Sequence, residues 1–259
     1  MREPVVLIGV GEMGGVFARG LLRAGHPVYP VNRGDDPAAV AAAVPAPALA
    51  LVAVREDALH EVLDRLPGPW RDRVGLLQNE LLPEDWRRHR IGSPTVISVW
   101  FEKKPGQDVK VILPSPVHGP AAGLLARALA TIGIPTRILD HEEELLHELV
   151  LKNVYILTTN IAGLAVDGTV AELWARHRPL AEGIAAEVIR LQEALTGRSL
   201  DRDALIRDMA AAFAGDPDHR CMGRSAPRRL DRALALAREH GLGLPRIEEI
   251  ARGRGAGRD

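Results

Sequence analysis

The chain has 259 residues, with 33 basic against 34 acidic side chains and 46% hydrophobic residues. This is the balance of a globular protein of one large or two medium domains. The net charge of -1 excludes a nucleic-acid surface spread over the whole molecule, and the single cysteine, Cys221, excludes an internal disulfide and suits a reducing, cytoplasmic setting.

The first half alternates short apolar runs with helical spacing. Strands are predicted at Val5–Val10, Val28–Asn32, Ala48–Val54 and Val74–Gln78. Between them lie helices at 14–24, stopped by Gly25, at Ala38–Val44, and at Ala58–Leu66, stopped by Pro67 and Gly68. Strands separated by short helices imply βαβ units and a parallel sheet. Continuous rather than alternating apolar strands imply a sheet covered on both faces. After residue 94, strands are expected at Thr95–Phe101, Val109–Leu113 and Thr136–Leu139, with a helix at Pro120–Ile132.

From Asp140 the spacing is helical throughout, over 141–164, 169–176, 180–195, 201–214 and 225–240. Asp140 is a candidate N-cap, with Glu143 three residues on. The expected class is therefore α/β: a Rossmann-like parallel-sheet domain over 1–140, then an all-helical domain over 141–259. The tail 252–259 (RGRGAGRD) is expected to be disordered. The most apolar helix candidate, 149–166, is interrupted by Lys152, Asn153 and Asn160, so no membrane span is expected.

Gly9-Val10-Gly11-Glu12-Met13-Gly14 is a G-x-G-x-x-G motif that follows a strand at once and opens a helix. That context is the one dinucleotide binding requires. Gly9 allows a tight turn, Gly11 lets a pyrophosphate approach the backbone, and Gly14 lets helix and strand pack closely. Glu12 and Met13, which open the helix, join the candidate cofactor contacts. At the end of the second strand, where NAD sites usually carry an acidic residue, stands Arg33. An arginine there suits a 2′-phosphate and points to NADP(H); a solvated loop charge is the alternative, and Asp35 and Asp36 lie just beyond. Arg55, at the end of the third strand, is a candidate second phosphate contact.

With these residues in place, the sequence resembles the ketopantoate reductases. The resemblance rests on Gly9–Gly14, on Leu77-Gln78-Asn79, on Val117-His118-Gly119-Pro120, and on Lys152 followed eight residues later by Asn160-Ile161. It implies reduction of a small 2-oxo acid with NADPH. Lys152 would be the general acid, and Asn79 would orient cofactor and substrate. Asn160 and Cys221 would fall in the substrate-binding part. Four positions depart from the family pattern: Glu80 replaces a glycine, Ile156 an asparagine, Cys221 a serine and Arg229 a carboxylate.

The residues taken alone leave alternatives open. Lys152 has Glu148 four residues earlier, an ordinary helix pair. Asn79 could be a turn residue, and Asn160 a helix–helix hydrogen bond. Arg220, Arg224, Arg228 and Arg229 form a basic run that is either a solvated face or a substrate-carboxylate site. His118 reads as structural, in a strand-to-helix turn. His141 and His147 lack zinc-pair spacing, and no metal site is expected. Non-catalytic NADP(H) sensing on the same fold is the rival function, and a homodimer is the candidate assembly.

Overall fold

The computed structural model describes residues 2–256. The chain divides into two compact units, Met1–Leu149 and Val150–Asp259.

The first unit holds a seven-stranded sheet. Its strands are β1 (Val5–Ile8), β2 (Val28–Val31), β3 (Leu49–Val52), β4 (Val74–Leu76), β5 (Thr95–Ile97), β8 (Ser115–His118) and β9 (Thr136–Ile138), in the order β2-β1-β3-β4-β5-β8-β9. The first five are parallel; β8 runs antiparallel to β5, and β9 parallel to β8. A separate hairpin joins β6 (Phe101–Glu102) to β7 (Lys110–Val111).

Alternate residues of the strands enter two different cores. Val6, Ile8, Ala50 and Val52 face one, while Val5, Leu7, Leu49 and Leu51 face the other. Both sets are buried, so both faces of the sheet are covered. On one face lie α1 (Glu12–Arg23) and α5 (Ala122–Ala130), which contribute Phe17, Leu21, Leu125 and Leu129. On the other lie α2 (Pro37–Ala43), α3 (Leu59–Asp64) and α4 (Pro83–Arg87), with Leu63, Trp86 and Trp70 of a short 3-10 helix over Gly68–Arg73.

Two expectations shift here. The run Thr95–Phe101 is split between β5 and β6, and the residues before His118, expected only as a turn, form strand β8. Pro116 explains the second: a proline, which gives the ladder no N–H, argues against a central strand. Yet β8 lies between β5 and β9. His118 closes that strand, its Nδ1 hydrogen-bonded to the Leu139 carbonyl at 3.0 Å, a structural role.

Helix α6 (Glu142–Ala162) begins in the first unit, where Leu145 and Leu149 join the sheet core. The carboxylate that reaches back over its start is Glu144, not Glu143. It accepts from the amides of Asp140 and His141, both at 3.0 Å, and the His141 bond in particular holds its carboxyl below the usual range.

The second unit contains the rest of α6, then α7 (Val170–Arg176), α8 (Arg178–Thr196), α9 (Arg202–Gly215), α10 (Ala226–Glu239) and α11 (Pro245–Ala256). Among the described residues it contributes no strand to the sheet; it has one isolated bridge, Thr169 to Arg220. No helix is long and apolar enough to cross a membrane among those residues.

Helix α11 was not foreseen, and it takes in Arg252–Ala256 of the segment expected to be disordered; 257–259 lie outside the described residues. Its start is capped from a distance. The buried Glu187 of α8 accepts from the amides of Arg246 at 2.9 Å and Ile247 at 3.1 Å. A carboxylate at a helix N-terminus satisfies orphan amides and suits the helix dipole. Glu187→Ala should therefore destabilise the protein by about 2–4 kcal/mol, since it strands two amides. Urea unfolding checks this, with Glu187→Gln expected to lose less.

Candidate functional site

The nucleotide-binding elements lie at the carboxyl end of β1. Gly9 has φ +91, a left-handed conformation, and a Cβ there would lie 3.0 Å from the Ala53 carbonyl oxygen. Gly14 is more constrained: its Cβ would fall 2.1 Å from the carbonyl oxygen of Gly9. Helix α1 can approach β1 this closely only without that carbon. Gly11 is different. A Cβ there would meet nothing within 4 Å, and the same holds for Gly15. Internal packing explains Gly9 and Gly14 but not Gly11, which leaves open backbone where a ligand could approach.

Gly11 is also the N-cap of α1 and offers no side chain to the first-turn amides. Gly11, Glu12 and Gly15 line a cavity of about 580 Å³, whose other walls include Arg19, Lys103 and Asp108. These residues fit a dinucleotide diphosphate: bare backbone, helix amides and nearby cations.

Beyond β2, Arg33 is exposed. The two aspartates that follow it are engaged locally. Asp35 accepts from the Asn32 amide at 2.7 Å, and Asp36 caps α2 through the Ala38 amide at 3.0 Å. Arg55 is paired with Asp57 at 2.6 Å on the surface.

After β4 the chain turns through Leu77-Gln78-Asn79-Glu80. Gln78 is buried, and its side chain ties this turn to β3. Its amide donates to the carbonyls of Val52 at 2.7 Å and Val54 at 3.2 Å, and its oxygen accepts from the Leu77 amide at 3.1 Å. That fixes where Asn79 emerges. The Asn79 amide donates to Glu56 Oε1 at 3.1 Å. Glu80 has φ +58, so the turn keeps the left-handed conformation that a glycine would adopt freely. The departure at this position changes the side chain, not the path of the backbone.

In the second unit, α6 carries Lys152 and Asn160. Lys152 is half-buried between Leu151 and Asn153, which are buried, and its ammonium lies 5.7 Å from the Tyr155 ring centroid. Asn153 is anchored to Gln192 of α8 at 2.9 Å. Asn160 is buried, and its oxygen accepts from Arg229 Nη1 at 2.9 Å. Its amide faces the carbonyl oxygen of Cys221 at 3.4 Å. The fold thus brings together Asn160, Cys221 and Arg229, residues 61 and 69 positions apart from Asn160. Asn79 and Lys152 belong to different units.

Cys221 is buried, and burial pushes its thiol up to about 11. A thiol kept protonated by burial in this way is a poor nucleophile. Gly163 was missed. A Cβ there would fall 2.7 Å from the Met222 amide nitrogen, so the turn just after α6 needs a glycine for the 221–222 segment to lie against it. A lone glycine within a helical pattern was the available signal. Arg220 pairs with Asp167 at 2.7 Å, so this member of the basic run is engaged within the loop region.

No family model matches the chain, and no curated protein matches it by sequence. Solved structures do match by fold. The 2-dehydropantoate 2-reductase from Methylococcus capsulatus superposes with a TM-score of 0.69 at 15% identity, covering 95% of this chain and 94% of that one. A dimeric ketopantoate reductase from Staphylococcus aureus gives 0.65 at 17% identity, with 95% and 96% covered. D-mandelate dehydrogenase in complex with NADH gives 0.67 at 16% identity, with 96% of each covered. The chain therefore has the fold of these reductases and of this dehydrogenase: a Rossmann-like sheet domain followed by a helical domain.

Proposed function

We propose that this protein is an NADPH-dependent reductase of a small 2-oxo acid or a related carbonyl compound. The observation that carries the reading is the division among the motif glycines. Packing requires Gly9 and Gly14, whereas Gly11 stands at an open helix end with nothing of the protein against it.

In this reading the amides at Gly11–Gly14 hold the diphosphate, with Glu12 and Met13 beside it. Arg33 holds the 2′-phosphate, because Asp35 and Asp36 already serve backbone amides. Arg55 is the second candidate contact, reached by exchanging Asp57 for phosphate. When bound, the dinucleotide supplies the hydride. Asn79 uses its amide to orient nicotinamide and substrate carbonyl. Lys152 places its ammonium at the developing alkoxide and gives it a proton. Asn160 holds the Arg229 guanidinium, which suits a substrate bearing a carboxylate, and Cys221 takes part through its main-chain carbonyl. A buried free thiol fits a cytoplasmic enzyme, and a homodimer is the assembly to test by sedimentation.

The test begins with titration of NADPH and NADH into wild type and Arg33→Ala. Wild type should prefer NADPH, and Arg33→Ala should weaken NADPH about 10–100-fold while leaving NADH nearly unchanged. Equal affinities in wild type would overturn the NADPH assignment. NADPH oxidation against a panel of 2-oxo acids then tests turnover. Ile156, apolar and 8% exposed at a position that is polar in the family pattern, favours the binding-only rival. That rival predicts tight NADPH binding with no turnover of any panel member.

A further inference from the structure

Glu12 is the first residue of α1 and stands at the end that the dinucleotide reading assigns to the diphosphate. Without a ligand this is a favourable place for a carboxylate, because it faces the positive end of the helix dipole. With a diphosphate in place the same carboxylate becomes a like charge beside the ligand. The side chain is about half exposed, at 48%, and lines the same cavity as Gly11 and Gly15.

Lys103 answers that charge. Its ammonium lies 3.1 Å from Glu12 Oε2 and donates to the Lys104 carbonyl at 2.8 Å. The side chain is 21% exposed, less than an ordinary surface lysine pair would show. It is also held by a rigid base. Lys103 follows β6, whose Phe101 is buried and packs against Phe17 of α1 at 6.0 Å between ring centroids. The far strand returns through Phe101–Val111 pairing and the Ile112 amide bonded to the Trp100 carbonyl at 2.9 Å. Neighbouring Lys104 is directed elsewhere, to Glu102 at 3.2 Å. Lys103, Glu12, Gly11 and Gly15 share the walls of the same cavity.

We propose that Lys103 is a positioning residue of the dinucleotide site, which neutralises Glu12 and holds its carboxylate aside so that the N-terminal end of α1 can accept a diphosphate. The inference rests on the NADPH-binding reading above. It adds a cationic contribution from the β6–β7 hairpin, outside the glycine motif.

The experiment is a double-mutant cycle on the full-length protein, read as NADPH affinity by fluorescence titration at low and at moderate salt. Lys103→Met should weaken NADPH about tenfold, equivalent to about 1.4 kcal/mol. Glu12→Gln should bind NADPH more tightly than wild type, because it removes the repulsive charge; affinity equal to wild type counts against the proposal. Glu12→Gln/Lys103→Met should recover most of the lost affinity, and Lys103→Arg should stay near wild type. The Lys103→Met deficit should change with salt, as a contribution from exposed charges does. Thermal unfolding of each variant identifies any loss caused by misfolding; if Lys103→Met proves unstable, the comparison of Glu12→Gln with wild type and Lys103→Arg decides. Affinity unchanged in Lys103→Met, or a double variant as weak as Lys103→Met alone, overturns the proposal. Wild type that binds neither NADPH nor NADH overturns the nucleotide reading itself, a distinct result, and this inference with it.

Discussion

Replacing Lys152 by alanine is expected to lower turnover of a 2-oxo acid by about 10²–10⁴-fold, the usual contribution of a positioned general acid. NADPH affinity should stay nearly unchanged, because the glycine motif proposed to hold the dinucleotide belongs to the first unit and Lys152 to the second. Hydride delivery to a carbonyl leaves negative charge on oxygen, and that oxygen needs both a counter-charge and a proton. An ammonium provides both. Lys152→Arg separates the two contributions: a guanidinium retains the charge but holds its proton too tightly to give it up. Arginine should therefore restore substrate binding better than it restores kcat. The local setting is compatible with the role. Leu151 and Asn153 on either side are buried, while Lys152 itself is half-buried with its ammonium 5.7 Å from the Tyr155 ring. A ring face at that range favours the cation and partly compensates for lost water. Steady-state and single-turnover rates of NADPH oxidation measure the effect. A Lys152→Ala enzyme with wild-type turnover would remove the lysine from the chemistry and strengthen the binding-only rival.

The sheet was legible in the sequence because its signals are local. Val5-Val6-Leu7-Ile8 and Leu49-Ala50-Leu51-Val52 are unbroken apolar runs, and only a sheet buried on both faces makes such runs favourable. The glycine motif was legible for the same reason: strand, turn and helix adjoin within a few residues. What escaped depends on distant partners. The start of α11 is satisfied by Glu187, 59 residues before Arg246. β8 carries a proline at a position that local rules reserve for edges, and β5 and β9 nevertheless flank it. The pairing of Asn160 with Arg229 spans 69 residues. A resemblance could bring those two positions to attention, but not the bond between them. The Glu12–Lys103 pair was equally hidden, because a hairpin about 90 residues downstream supplies the cation.

The last expectation separates folding from binding within a single motif. Gly14→Ala and Gly11→Ala add the same methyl group three residues apart, and they should fail differently. At Gly14 the new carbon would meet the Gly9 carbonyl oxygen at 2.1 Å. That oxygen is backbone at the end of β1, which is paired on both sides by β2 and β3, so it has little room to withdraw. Helix α1 must move out instead. Its buried Val16, Phe17 and Leu21 then lose contact with the sheet core, and Gly20 leaves its close approach to Ala128 on α5. Overpacking of this kind costs about 1–3 kcal/mol and sometimes more, so Gly14→Ala should lower the unfolding midpoint clearly and weaken NADPH as a consequence. At Gly11 no protein atom lies within 4 Å of the added carbon, and the backbone, at φ -83 and ψ -163, is one that alanine adopts. The cost to folding should stay within about 0.5–1 kcal/mol, mostly from the poorer N-cap. NADPH affinity should nevertheless fall by about tenfold or more, because the methyl group occupies the space through which the diphosphate approaches the backbone. Thermal unfolding and cofactor titration on the two variants give the comparison. If Gly11→Ala keeps wild-type affinity, the open helix end is not where the dinucleotide binds, and the motif is there only to pack α1 against β1.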